Sequence, residues 1–199
     1  MRYVVLLVAI AAACGNDGQR RQPATDTPEP LRIGTTSQAV PALDTTADTS
    51  AFAGSTERVE RKGSASEPAI LNAVRTARHE AFERVVLEFR GEAMPDYFVE
   101  YAREQPTSCG SGEAIVVAGA AHLVVRTSPA QAHAPIGGDE RSTIPGRTIA
   151  PTQPVIKALA VSCDFEGVLA WVVGVDARRG FRVTTLSAPP RLVIDLSAR

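Results

Sequence analysis

From Pro68 to Arg199, apolar runs of about five to nine residues recur, separated by Gly, Pro, Ser and Asp. Short strands of a sandwich or barrel produce this pattern. It predicts strands over 70–75, 84–89, 97–101, 114–118, 122–126, 155–163, 167–175, 181–186 and 191–196. In one strand Val85, Leu87 and Phe89 face one way, while Arg84 and Glu88 face the other. In another, Leu192, Ile194 and Leu196 oppose Asp195. A strand buries one such set, because its side chains alternate between faces. The run 168–175 is apolar on both faces, which predicts a central strand covered twice. Leu71, Val74 and His79 fit a helical spacing over 67–83, but the surrounding strands favour a strand and turn there. The expected fold is all-β, a β-sandwich or partly closed barrel of about nine short strands. About 130 residues suffice to bury its core.

Two stretches lack this pattern. Residues 127–154 hold many Pro and Gly residues and read as a long excursion. It is either a surface loop or a binding or covering element. Residues 15–67 are rich in Thr, Ser, Ala, Pro, Gly and Asp with no apolar period, apart from a weak strand or turn near 31–33. Such a segment buries too little surface to offset its ordering entropy. It reads as a disordered linker of about 50 residues, spanning on the order of 40 Å if flexible.

The start of the chain differs again. Arg2 precedes an unbroken apolar run over 4–13, long enough for the core of a signal segment and too short to span a bilayer. Ala11-Ala12-Ala13-Cys14 follows, and small residues before a cysteine resemble a lipobox. The resemblance implies that Cys14 becomes the acylated mature N-terminus. Acyl chains contribute about 0.8 kcal/mol per buried CH₂, so more than one gives a stable membrane anchor. The expected organisation is a lipoprotein signal segment over 1–14, a linker over 15–67 and one domain over 68–199. The protein would be exported and lipid-anchored to a membrane, with its domain in the periplasm or another extracytoplasmic space.

A net charge of −1 gives no electrostatic footprint for nucleic acid, and aromatic residues at 5% give no base-stacking platform. In an exported chain Cys109 and Cys163 remain once Cys14 is set apart, and an even remainder suggests a disulfide. Closing about 50 residues would contribute on the order of 4 kcal/mol. His79, His122 and His133 have no metal-ligand spacing. HExxH, Gly-x-Ser-x-Gly and a phosphate loop are absent from the sequence. No metal, cofactor or catalytic residue is therefore assigned, and no enzyme activity is expected.

Several residues together suggest a family. The order is Val74-Arg-Thr-Ala-Arg-His79-Glu-Ala-Phe82-Glu-Arg84-Val-Val-Leu-Glu88-Phe89, then Tyr97-Phe-Val-Glu-Tyr101 and Asp164-Phe165-Glu166-Gly167. Trp171-Val-Val-Gly174-Val-Asp176, Phe181-Arg-Val183 and the closing Pro189-Pro190-Arg191-Leu-Val-Ile-Asp195-Leu follow. Over about residues 68–199 this set resembles the AMIN-like domain of secreted and lipid-anchored bacterial proteins. The resemblance implies a β-sandwich with a non-catalytic, envelope-binding role toward peptidoglycan or an envelope protein partner. The segment is longer than a plain AMIN domain, and no amidase or secretin domain follows, so a catalytic cargo is not expected.

The candidate binding residues are Arg84, Glu88, Phe165, Glu166, Arg191 and Asp195. The strand charges Arg84, Glu88, Arg191 and Asp195 have two readings: a face offering arginine forks to cell-wall carboxylates, or ion pairs between neighbouring strands. Phe165 and Glu166, at a turn, are the candidates for exposure, whereas Trp171 reads as a core residue. Three functions stay open: an envelope-binding module, a carrier holding a small apolar ligand between its sheets, and a structural accessory subunit of an envelope complex.

Overall fold

The computed structural model describes residues 52–136 and 139–199. Cys14, the weak element expected near 31–33 and the rest of the chain before Phe52 lie outside the described residues. In chain order the strands are β1 (Val59–Arg61), β2 (Ala69–Arg78), β3 (Phe82–Phe89), β4 (Asp96–Tyr101), β5 (Ala121–Ser128), β6 (Ala130–Gln131) and β7 (His133–Ile136). Then follow β8 (Asp139–Ser142), β9 (Thr148–Ile149), β10 (Ile156–Phe165), β11 (Val168–Val175), β12 (Phe181–Leu186) and β13 (Arg191–Ser197).

Two sheets pack face to face as a β-sandwich, and neither closes into a barrel. One has six strands in the order β1-β4-β5-β11-β10-β9, the other five in the order β12-β13-β3-β2-β6. β7 and β8 form a separate hairpin. Alternation decides which side chains enter the core. Val85, Leu87 and Phe89 of β3 and Leu192, Ile194 and Leu196 of β13 meet Tyr97, Val99, Leu123, Val125, Trp171 and Val173 of the other sheet in one buried cluster.

β11 is the central strand that its two apolar faces predict. Leu169, Trp171 and Val173 point into the core. On the outer face Val172 packs with Ala158, Ala160, Val117 and Ile115. Residues 114–118, expected to be a strand, instead form a strap across that face. Gly174 is what admits the strap, because a Cβ there would lie 1.9 Å from the Ala118 carbonyl oxygen. Ile115 and Val117 are apolar because they cover a sheet from outside, while Val116 between them is 92% exposed.

Two further differences come from strands too short to show a period. β1 lies within the segment read as linker, pairing antiparallel with β4, and Val59 packs against the core. The excursion over 127–154 contains β6 to β9, and its Ala130, Ala132 and Ile144 are buried in the main core. It is a covering element.

Candidate functional site

The outer face of the six-stranded sheet carries a row of directly opposed residues, Phe98, Arg126, Ala170 and Cys163, on β4, β5, β11 and β10. A β-bulge creates it. In β10, Leu159 and Val161 point inward, so strict alternation would turn Cys163 and Phe165 inward as well. The register shifts between Val161 and Cys163, leaving Ser162 as the extra residue. Cys163 then lies opposite Ala170, and Phe165 opposite Val168, on the outer face. Re-aiming side chains is a common consequence of bulges.

Once outward, Cys163 meets Cys109 in a disulfide with Cα atoms 5.2 Å apart. The Cys109 N–H also donates to the Ser162 carbonyl at 3.0 Å. The staple holds the largely exposed segment around residues 103–114 against the sheet edge. β10 and β11 are joined by Glu166 and Gly167, both at positive φ (46° and 72°). Two such residues suit a tight two-residue hairpin whose twist matches the strands. Phe165, just before the turn, is 61% exposed.

The small Ala170 between larger neighbours leaves a groove of about 380 Å³. Phe98, Val124, Val168 and Phe165 supply its apolar surface, the disulfide forms one side, and Arg126 and Glu166 supply opposite charges. Neither charge has an ion-pair partner among the described residues. A second hollow of about 210 Å³ shares Phe98 and Arg126 and continues the groove toward Lys62 and Asp96, which pair at 2.6 Å. Lys62 holds the Asp96 carboxyl below the usual carboxylate range. Arg58, paired with Glu100 and Glu60, lies 4.2 Å from the Phe98 ring centre and fixes that ring from one side.

Of the candidate binding residues, Phe165 and Glu166 line this groove. The other four lie on the five-stranded sheet and make internal contacts. Asp195 and Arg84 are register partners on β13 and β3. Arg84 donates from Nε to Oδ1 at 2.6 Å and from a terminal nitrogen to Oδ2 at 2.9 Å. Arg182 of β12 adds a third bond at 3.0 Å. The hydrogen bond to Asp195 pushes the Arg84 guanidinium further above its ordinary pKa. Glu88 pairs with Arg75 and accepts from Asn72, and Arg191 donates to the Pro189 carbonyl.

The histidines are separately placed. His79 stacks on Phe82, His122 contacts the Val117 carbonyl, and His133 contacts Asp164. Among the described residues no group of three or more His, Cys, Asp or Glu could hold a metal. Arg126 and Phe98 were not singled out from the sequence. Their alternation with buried Val125 and Val99 marked them only as outward-facing.

Two sheets around one core, antiparallel except for the β2–β6 pair, with a groove on an outer face, define a β-sandwich. The family model for the AMIN-like domain matches residues 69–198, and the chain belongs to that family. AMIN-like domains are associated with the cell envelope. No curated protein and no solved structure matches the chain.

Proposed function

We propose that this protein is a non-catalytic, lipid-anchored module of the cell envelope that binds peptidoglycan through the groove of Phe98, Arg126, Phe165 and Glu166. The observation that carries the reading is the groove's chemistry within a domain of this family. An apolar floor lies beside an arginine that can take a carboxylate and a glutamate that can take an ammonium. Cell-wall peptide stems carry both groups. The lipobox-like sequence ending at Cys14 supports export and anchoring, and the residues after it serve as a tether.

The intersheet space supports a binding surface over a carrier, because Trp171, Phe89, Phe181, Leu87, Leu123 and Ile194 fill it. An envelope protein partner would use the same groove. Cosedimentation of the full chain with purified peptidoglycan tests the reading. Retention is expected, and no retention at high protein concentration would defeat the cell-wall assignment. Cys14→Ser tests the anchor by fractionation: the variant should leave the membrane or stay unprocessed. A processed variant that still cofractionates with membranes would contradict it.

A further inference from the structure

The connection between β11 and β12, residues 176–180, builds a second site that shares no residue with the groove. An open mouth of about 420 Å³ is lined by Phe52, Gly54, Arg178, Arg179, Ser197 and Arg199 among others. No Asp or Glu side chain lines it. Arg179 is forked by Asp176 at 2.7 and 2.6 Å, which neutralises that guanidinium. Arg178 and Arg199 have no carboxylate side-chain partner among the described residues. Arg178 is exposed, its guanidinium 5.1 Å from the Tyr101 ring centre.

The backbone presenting these arginines is fixed. The Tyr101 hydroxyl donates to the Arg179 carbonyl at 2.8 Å and accepts from the Arg179 N–H at 2.9 Å. The Asp176 N–H donates to the Val155 carbonyl at 3.0 Å. Ser55 and Phe181 exchange two backbone hydrogen bonds at 3.0 and 2.8 Å, tying the incoming chain to the start of β12. A pre-formed cationic mouth binds an anion with little ordering cost.

We infer that this mouth takes the phosphate group of an anionic phospholipid. Arginine suits phosphate because its donors match oxyanion geometry, and two guanidiniums without a carboxylate side-chain partner on one mouth, Arg178 and Arg199, suit a tetrahedral group better than a single planar carboxylate. The choice of a lipid phosphate rests on the anchored reading above. Phe52 and Gly54 belong to the segment by which the chain arrives from Cys14. If Cys14 is acylated, only the residues between Cys14 and Phe52 separate this mouth from the membrane. Headgroups are then at high effective concentration, and a weak site suffices to rest the domain on its own membrane.

The test is cosedimentation of the full chain carrying Cys14→Ser with phosphatidylcholine vesicles, with and without phosphatidylglycerol. Insertion of the apolar run over 4–13 would appear on both vesicle types and cancel in the comparison. Phosphatidylglycerol should raise the bound fraction severalfold at low salt, and high salt should remove the increase. Arg178→Ala should cut the increase about fivefold, the effect of one cation near an anionic surface. Equal binding to both vesicle types, or an increase unchanged in Arg178→Ala, would overturn the proposal. Soluble glycerol phosphate that binds while vesicles do not would overturn the lipid source. Peptidoglycan retention measured on the same samples depends on Phe165 and keeps a failure of the groove distinct from a failure of this site.

Discussion

Asp195 of β13 lies directly opposite Arg84 of β3 and is 1% exposed, its carboxylate held by Arg84 on one side and Arg182 on the other. Three adjacent strands are thereby tied across the outer face of the five-stranded sheet. Phe82 packs beneath both guanidiniums, 5.0 Å from Arg84 and 5.9 Å from Arg182. Arg84 and Arg182 are part-exposed, so water takes up their charges once the carboxylate is gone, and the loss is that of the charge-assisted hydrogen bonds. Asp195→Ala should therefore destabilise the domain by about 2 kcal/mol, read as a lower urea midpoint at unchanged slope. A midpoint within experimental error of wild type would show that the ladder contributes nothing.

Glu83 is fully buried, and its carboxylate accepts the Val155 N–H at 3.1 Å and the Ile156 N–H at 2.7 Å. It joins β3 of one sheet to the start of β10 in the other. Glu83→Ala would orphan both amides, at about 1–3 kcal/mol for a buried unsatisfied group. Glu83→Gln retains one acceptor oxygen and should fall between the alanine variant and wild type. The order of the three thermal midpoints checks this. A glutamine variant less stable than alanine would contradict it.

The Cys109–Cys163 bridge spans 54 positions. Its loss should lower stability by on the order of 4 kcal/mol in the chain-entropy account. It should also free the exposed segment near residues 103–114 to proteolysis. Limited digestion with and without reductant is the measurement, and identical cleavage patterns would contradict the staple. Alkylation of the oxidised, unfolded protein should label neither cysteine.

Arg179 holds the Asp176 carboxyl below the usual carboxylate range, through hydrogen bonds from its guanidinium. The folded protein thus binds that proton more weakly than the unfolded chain. The pair's contribution is present above the unfolded value, about 4, and is lost as pH falls through the lower folded value. Because the pair is partly exposed, the contribution is under about 1 kcal/mol. The stability gap between wild type and Asp176→Asn should narrow below about pH 4. A gap independent of pH would rule out this linkage.

Much of the sandwich was legible because alternation is set by burial. β3, β4, β11 and β13 fall where their apolar periods place them. The strap was misread because Ile115 to Val117 is as apolar as a strand, while its covering role depends on Gly174 in a distant segment. β1 and β6 to β9 were invisible because two to four residues carry no period.

The groove was half legible. Phe165-Glu166-Gly167 signals a turn, and the turn is exposed. The bulge at Ser162, which brings Cys163 and Phe165 to the same face as Arg126, left no mark in the sequence, because Ala158 to Val161 just before it is apolar on both faces and shows no period. Arg84 and Asp195 looked like binding candidates because their pairing is a matter of register between strands over a hundred residues apart.

The central claim is that the outer groove of the six-stranded sheet, and not the strand charges of the other sheet, Arg191 among them, is the binding surface. Retention on purified peptidoglycan should be compared for wild type, Phe165→Ala and Arg191→Ala, with urea midpoints measured alongside. Phe165→Ala should weaken retention about tenfold at an unchanged midpoint, as truncation of an exposed aromatic anchor does. Arg191→Ala should bind as wild type. Undiminished retention by Phe165→Ala, or loss confined to Arg191→Ala, would contradict the account.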